Sequence, residues 1–199
     1  MKQFINTFIS ATLAGFAIAI GGTVFLKVGG IAGAVLFSFG LLTVVHYGLA
    51  LFTGRAGYFK TWGGLATLFT TILVGNVLGC IMIASVVQLD VMEAAQKIVE
   101  SRLSVDYMRN FRLAIPCGFI MTTAVEFGRR GQFLPLLFGV PVFILCGFRH
   151  SIADAFYYVA SGTFSTPLLI TWLVIVGGNF VGCNMYRLLL GNFETKYGK

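Results

Sequence analysis

Arg149, His150 and Asp154 stand within six residues of one another, in a stretch whose other members are small or apolar. An imidazole is the side chain whose ordinary titration falls nearest neutral pH, so in such a stretch it can donate a hydrogen bond while neutral or cycle as a proton relay. Its other reading is a helix–helix hydrogen bond. Arg149 and Asp154, five positions apart, have two readings. They could form a local ion pair that cancels their field, or Arg149 could add positive potential that attracts anions. His46 has no such neighbours and reads as a packing or interface residue. Cys80, Cys117, Cys146 and Cys183 all fall in apolar runs and none forms a C-x-x-C pair, so they read as small packing residues and no metal or cofactor is expected. Neither H-E-x-x-H nor G-x-S-x-G occurs, and Glu126 and Asp154 fall toward opposite ends of the expected bundle. An enzymatic role is not expected.

The elements that must position these groups are membrane helices. The chain is 57% apolar and 11% charged, against about 25% charged in soluble domains. Its mean hydropathy is strongly positive. The apolar runs are long enough to cross roughly 30 Å of hydrocarbon as helices. The net charge of +7 comes from basic residues that cluster at the ends of those runs, where they set topology and meet anionic lipid. No basic tract interleaved with aromatics suggests nucleic acid. The first run is too long for a signal peptide and is expected to stay as a span.

Six segments can be drawn, making one transmembrane domain over 1–199. They cover about 4–25, a second from Gly30 interrupted around 48–55, 62–89, 107–127, a fifth from Phe133 broken around 148–154, and 167–190. A polar connector, 90–106, is expected to lie at the water interface. The pattern G-N-x-x-G-C occurs at Gly75-Asn76-Val77-Leu78-Gly79-Cys80 and again at Gly178-Asn179-Phe180-Val181-Gly182-Cys183, 103 residues later. The same offset takes Gly15-Phe16 to Gly118-Phe119. The chain therefore reads as two copies of one unit, about 1–90 and 107–199. Three spans per copy would make the second copy enter from the opposite side, giving a 3+3 inverted repeat. Interrupted helices at paired positions point to a transport site, because unwound backbone at that depth must line a cavity or be buried in protein. The Gly75/Gly79 and Gly178/Gly182 spacings read as close-packing seams, with Asn76 and Asn179 cross-linking the bundle or fixing the broken backbone.

With the N-terminus inside, the inner side collects Lys2, Arg55, Lys60, Arg129, Arg130, Arg187, Lys196 and Lys199. The outer side collects Lys27, Lys97, Arg102, Arg109, Arg112 and Arg149. This bias predicts both termini in the cytoplasm.

On these residues the chain resembles the formate/nitrite transporter family along essentially its whole length. Ala14-Gly15 through Gly21-Gly22 looks like that family's first span, Leu51-Phe52-Thr53-Gly54 like its loop in span two, and Gly75-Asn76 like its third span. Arg102-Leu103-Ser104, Phe111-Arg112, Ile115 and Cys117 resemble its K-x-S…F-x-R-G-I-x-C-N approach into span four. Gly147-Phe148-Arg149-His150-Ser151-Ile152-Ala153-Asp154 resembles its G-F-E-H-S-x-A-N. Arg149 stands where that pattern has Glu, Asp154 where it has Asn, and Gly118 where the span-four motif ends in Asn.

The resemblance implies an all-α membrane protein of six spans with breaks in spans two and five, an aquaporin-like architecture, and one pore per subunit of a homopentamer in a prokaryotic plasma membrane. It implies that His150 is the pore histidine, that Thr53 faces it, and that Asp154 belongs to the same polar site. Phe37 and Leu41 would form an apolar constriction on the inner side, with Leu51, Phe52 and Phe143 at further constriction positions. Arg102 falls where the family has an outer vestibule lysine. The expected cargo is a small monovalent anion or its conjugate acid, such as formate, nitrite, hydrosulfide, or an acetate- or lactate-like acid. Bare anions cross apolar rings poorly. A weak acid could pass by taking a proton or hydrogen bond at His150. The alternative is a pore for small neutral polar solutes.

Overall fold

A computed structural model describes residues 2–191, which lie in helices and short connections. Lys196 and Lys199, counted above toward the inner side, lie outside the described residues. Four helical stretches are long and apolar enough to cross a membrane by length and composition: Lys2–Val28, Trp62–Ala84, Tyr107–Arg129 and Thr166–Leu190. Two apolar helices, Gly30–His46 and Leu134–Leu145, are shorter.

In chain order the helices are α1 (Lys2–Val28), α2 (Gly30–His46), α3 (Phe52–Arg55), α4 (Trp62–Thr67), α5 (Leu73–Ala84), α6 (Leu89–Leu103), α7 (Tyr107–Arg129), α8 (Leu134–Leu145), α9 (Ser151–Ser161), α10 (Thr166–Cys183) and α11 (Met185–Leu190). Local chemistry accounts for several starts. The side chains of Thr61, Asp106 and Ser165 accept N–H bonds from Gly64, Arg109 and Leu168 and cap α4, α7 and α10. Pro167 follows Ser165 in the first turn of α10, where its missing N–H costs nothing. The connector between the halves is itself the helix α6, and only Val91, Ala95, Val99 and Arg102 of it are buried.

The glycine seams set the packing. α5 lies on α1, and α10 on α7. A Cβ on Gly79 would collide with Thr12 O and Phe16 N, and one on Gly182 with Ile115 O and Phe119 N. These contacts are related by the same offset of 103 positions. Gly75 lies against Phe8 and Ala11, and Gly178 against Phe111 and Ala114, again at that offset. Backbone packs on backbone in both seams, as small residues permit.

Three details differ from the sequence-based reading. Both interruptions end earlier than expected: the first covers 47–51, with Phe52–Arg55 helical, and the second 146–150, with Ser151 and Asp154 already helical. Gly128 and Arg129, beyond the expected end of the fourth segment at 127, are the last residues of α7. Between α4 and α5 the backbone widens into a π-helical turn, Leu68–Ile72, a local feature without a strong residue signature. His46 is exposed at the end of α2, edge-on to Tyr47 with ring centroids 4.9 Å apart.

Candidate functional site

Both interruptions begin with the same helix ending. After α2, Gly48 (φ 62°) donates to Val45 O at 3.2 Å and Leu49 to Val44 O at 2.8 Å. After α8, Gly147 (φ 69°) donates to Ile144 O at 3.0 Å and Phe148 to Phe143 O at 2.9 Å. This paired ending needs one left-handed residue, which glycine supplies without strain. Residues 99 positions apart are therefore equivalent here. Ala50 matches Arg149, Leu51 matches His150, and Phe52 matches Ser151.

The peptide groups freed by each break are taken by an asparagine. An amide has two donors and one acceptor, which is what each break requires. Asn76 donates to Ala11 O (2.8 Å) and Ala50 O (2.9 Å), and its Oδ1 accepts from Phe52 N (2.8 Å). Asn179 donates to Ala114 O and Arg149 O (both 2.8 Å), and its Oδ1 accepts from Ser151 N (2.7 Å). The cysteine four residues after each asparagine ties the halves together. Cys80 Sγ reaches Gly15 O (3.7 Å) and Ile152 O (3.5 Å), while Cys183 Sγ reaches Gly118 O (3.4 Å) and Thr53 O (3.3 Å). Each thiol thus contacts its own half and the short helix of the opposite one. That role went unread in the sequence, although the shared sixth position of G-N-x-x-G-C carried it.

These supports bring His150 and Thr53 together. His150 Nδ1 accepts the Ala153 N–H at 3.1 Å and caps α9. Nδ1 is therefore unprotonated, and the neutral ring carries its proton on Nε2, which faces Thr53 Oγ1 at 3.1 Å. An imidazolium would have to give up the cap. Both side chains are buried. Phe143 stacks on His150, with centroids 5.4 Å apart and planes 27° from parallel. Phe37 meets Phe143 edge-on at 6.0 Å. Phe52 packs against Phe69, and Leu41 and Leu51 are fully buried. Phe37 reaches Phe143 because α2 packs along α8.

A cavity of about 80 Å³ opens beside His150, walled by Phe25, Phe143 and Tyr157 and carrying Arg102 and Asp154. Arg102 Nε donates to Asp154 Oδ1 at 2.8 Å, in a buried ion pair. The local Arg149–Asp154 pair considered above is not what forms. Asp154 lies in the first turn of α9, where α6 packs and supplies Arg102. Arg149 is still in the extended segment and donates to Asn110 Oδ1 (3.2 Å) and Gly147 O (3.1 Å). Asn110 Nδ2 also donates to Arg102 O at 2.8 Å, so one buried amide touches both arginines. Sequence reading missed Asn110, whose signal was an amide placed between Arg109 and Phe111 at the start of an apolar helix. Burial works against the charge on Arg102, but the Asp154 carboxylate outweighs it and holds the guanidinium pKa above its ordinary value.

A larger cavity, about 430 Å³, lies beside α3 and is lined by Gly54, Arg55, Tyr58, Arg129 and aliphatic residues of α2. Arg129 sits over the Tyr58 ring at 3.9 Å, and Tyr58 donates to Glu126 Oε2 at 2.9 Å. Among the described residues, no cluster of three His, Cys, Asp or Glu could hold a metal ion.

Comparison with known proteins agrees with this geometry. A search of curated protein sequences returned no match. Among solved structures, a pentameric formate channel with formate bound is similar at a TM-score of 0.83 and 20% identity, over 95% of this chain and 96% of that one. An FNT family ion channel is similar at 0.79 and 15% identity, over 92% and 87%. At these identities the likeness establishes a shared fold. The model of the formate/nitrite transporter family matches residues 1–182, nearly the whole chain. The chain belongs to the formate/nitrite transporter family and is an integral membrane transport protein.

Proposed function

We propose that the chain forms a pore for small monovalent weak acids, with Thr53 and His150 at its polar centre. In this reading it has six spans in a 3+3 inverted repeat, and spans two and five are interrupted at 47–51 and 146–150. The halves would be related as the matched asparagine and cysteine contacts suggest. The observation that carries the proposal is the junction of Thr53 and His150. His150 closes one break and Thr53 stands in the first turn after the other, with Phe143 stacked on His150 in the buried apolar cluster that also holds Phe37, Leu41, Leu51 and Phe52.

The chemistry follows from the hydrogen-bond direction. The Ala153 N–H holds Nδ1, Nε2–H donates to Thr53, and the Thr53 hydroxyl proton is left to donate to a passing oxygen or sulfur. His150 thus orients Thr53 while remaining neutral. The apolar rings exclude a bare anion because stripping its water is costly. A weak acid passes as the neutral species or acquires a proton at the mouth. Arg149 at one end, and Arg55 and Arg129 at the other, draw anions to the mouths. Family membership and the pentameric fold relative support a homopentamer with one pore per subunit, and the basic-residue bias supports cytoplasmic termini in a prokaryotic plasma membrane. The Arg102–Asp154 pair favours a second reading, passage of neutral polar solutes.

Purified protein in liposomes decides between them. Stopped-flow uptake of formate, nitrite, hydrosulfide, lactate and urea at two pH values should show the weak acids moving faster at the lower pH, with urea excluded. Urea flux comparable to formate and indifferent to pH would favour the neutral-solute pore.

A further inference from the structure

The cavity beside His150 contains a carboxylate that is only half used. Asp154 Oδ1 takes the Arg102 hydrogen bond. Among the described residues, Oδ2 is buried and has no hydrogen-bond partner. A buried acceptor left unpaired is costly and marks a place where a donor belongs. The cavity, about 80 Å³, has room for one small molecule, since a water occupies about 30 Å³ of liquid.

The charges around it settle which kind of molecule. Arg102 from α6 is neutralised by Asp154 at contact distance. Arg149, just ahead of α9, faces Asn110 and Gly147 O and is not part of the cavity lining. His150 presents a ring whose two nitrogens are already engaged. Tyr157 and Tyr158 on α9, Cys117 from α7 and Arg149 also lie within electrostatic reach of Asp154. An anion entering here meets a paired cation and a carboxylate oxygen. A neutral molecule with an acidic O–H or S–H meets an acceptor.

We infer that Asp154 makes this cavity a receptor for the protonated form of a small weak acid, held by donation to Asp154 Oδ2 while the Asp154 carboxylate occupies the place on Arg102 that a free anion would take. The inference rests on the pore reading above and names the species that the pore holds. It makes Asp154 a specificity-determining residue.

The test uses the full-length oligomer in liposomes, with formate as probe and lumenal acidification as readout. At fixed total formate between pH 5 and 8, wild-type uptake should fall about tenfold per pH unit, following the concentration of formic acid. Asp154→Asn frees Arg102, so the dependence should flatten to about threefold per unit or less, and half-saturating total formate at pH 7 should drop roughly tenfold. The double variant Arg102→Met/Asp154→Leu buries no unpaired charge. It should keep the wild-type slope while its half-saturation for formic acid rises about tenfold through loss of the acceptor. A wild-type slope and half-saturation in Asp154→Asn would overturn the inference. So would an unchanged half-saturation in the double variant, which decides the matter if the single variant fails to assemble. Wild-type liposomes that pass no weak acid at any pH would instead overturn the pore reading itself.

Discussion

Thr53 Oγ1 and His150 Nε2 stand 3.1 Å apart although 97 residues separate them in the chain. The equivalent positions explain the asymmetry of the meeting. By the offset that relates the two interruptions, His150 corresponds to Leu51 and Thr53 to Ile152. Each break therefore offers one polar and one aliphatic side chain, and the polar members of the two breaks meet.

Thr53→Val keeps the shape and removes the acceptor for Nε2–H, leaving a buried donor unpaired. Weak-acid flux should fall by about tenfold or more, on the scale of 1–3 kcal/mol for an orphaned buried group, while Thr53→Ser should stay within about threefold of wild type. Stopped-flow uptake in liposomes, with oligomer size checked by gel filtration, reads both variants.

Asn76→Asp and Asn179→Asp test the supports of the breaks. An ionised carboxylate can still accept from Phe52 or Ser151, but it cannot donate to the two carbonyls that each amide now serves. Two buried acceptors lose their donors in each variant, at about 1–3 kcal/mol apiece. The thermal unfolding midpoint in detergent should fall by at least about 4 °C for either one.

Gly79→Ala and Gly182→Ala should damage assembly to a similar extent, because both methyl groups land on backbone of the facing helix. Overpacking of this kind costs about 1–3 kcal/mol or more. Gly177→Ala is the control, since its methyl would meet only the Phe111 ring at an ordinary 3.7 Å. Comparing the yield of folded protein for the three variants checks the seam.

Arg149→Glu reverses a charge held beside Asn110. Formate uptake at neutral pH should drop about threefold to tenfold at low ionic strength, and the difference should shrink near 0.5 M salt as screening shortens the reach of the charge. Equal uptake at both ionic strengths would assign Arg149 to holding the backbone through Gly147 O.

Much of this was legible in the residues. The G-N-x-x-G-C copies located both seams, since glycine spacing and an amide are local signals that survive without coordinates. His150 announced itself by standing in an apolar run. Partners chosen by packing were not legible. Asp154 has Arg149 five positions away, yet pairs with Arg102, because α6 crosses α9 and no local rule reports that crossing. The contact of Phe37 with Phe143 of another helix likewise follows from how α2 lies on α8. The π-helical turn at Leu68–Ile72, whose Phe69 ring lies against Phe52 and Phe180, also has no local residue signature.

The central claim is that a weak acid passes at the Thr53–His150 junction. His150→Asn tests it most directly, because asparagine can still cap α9 but is too short to serve Thr53 in the same way. In liposomes at pH 6, formate uptake by the intact variant oligomer should fall by about tenfold or more. Uptake within about twofold of wild type, from an oligomer of unchanged size, would contradict the account.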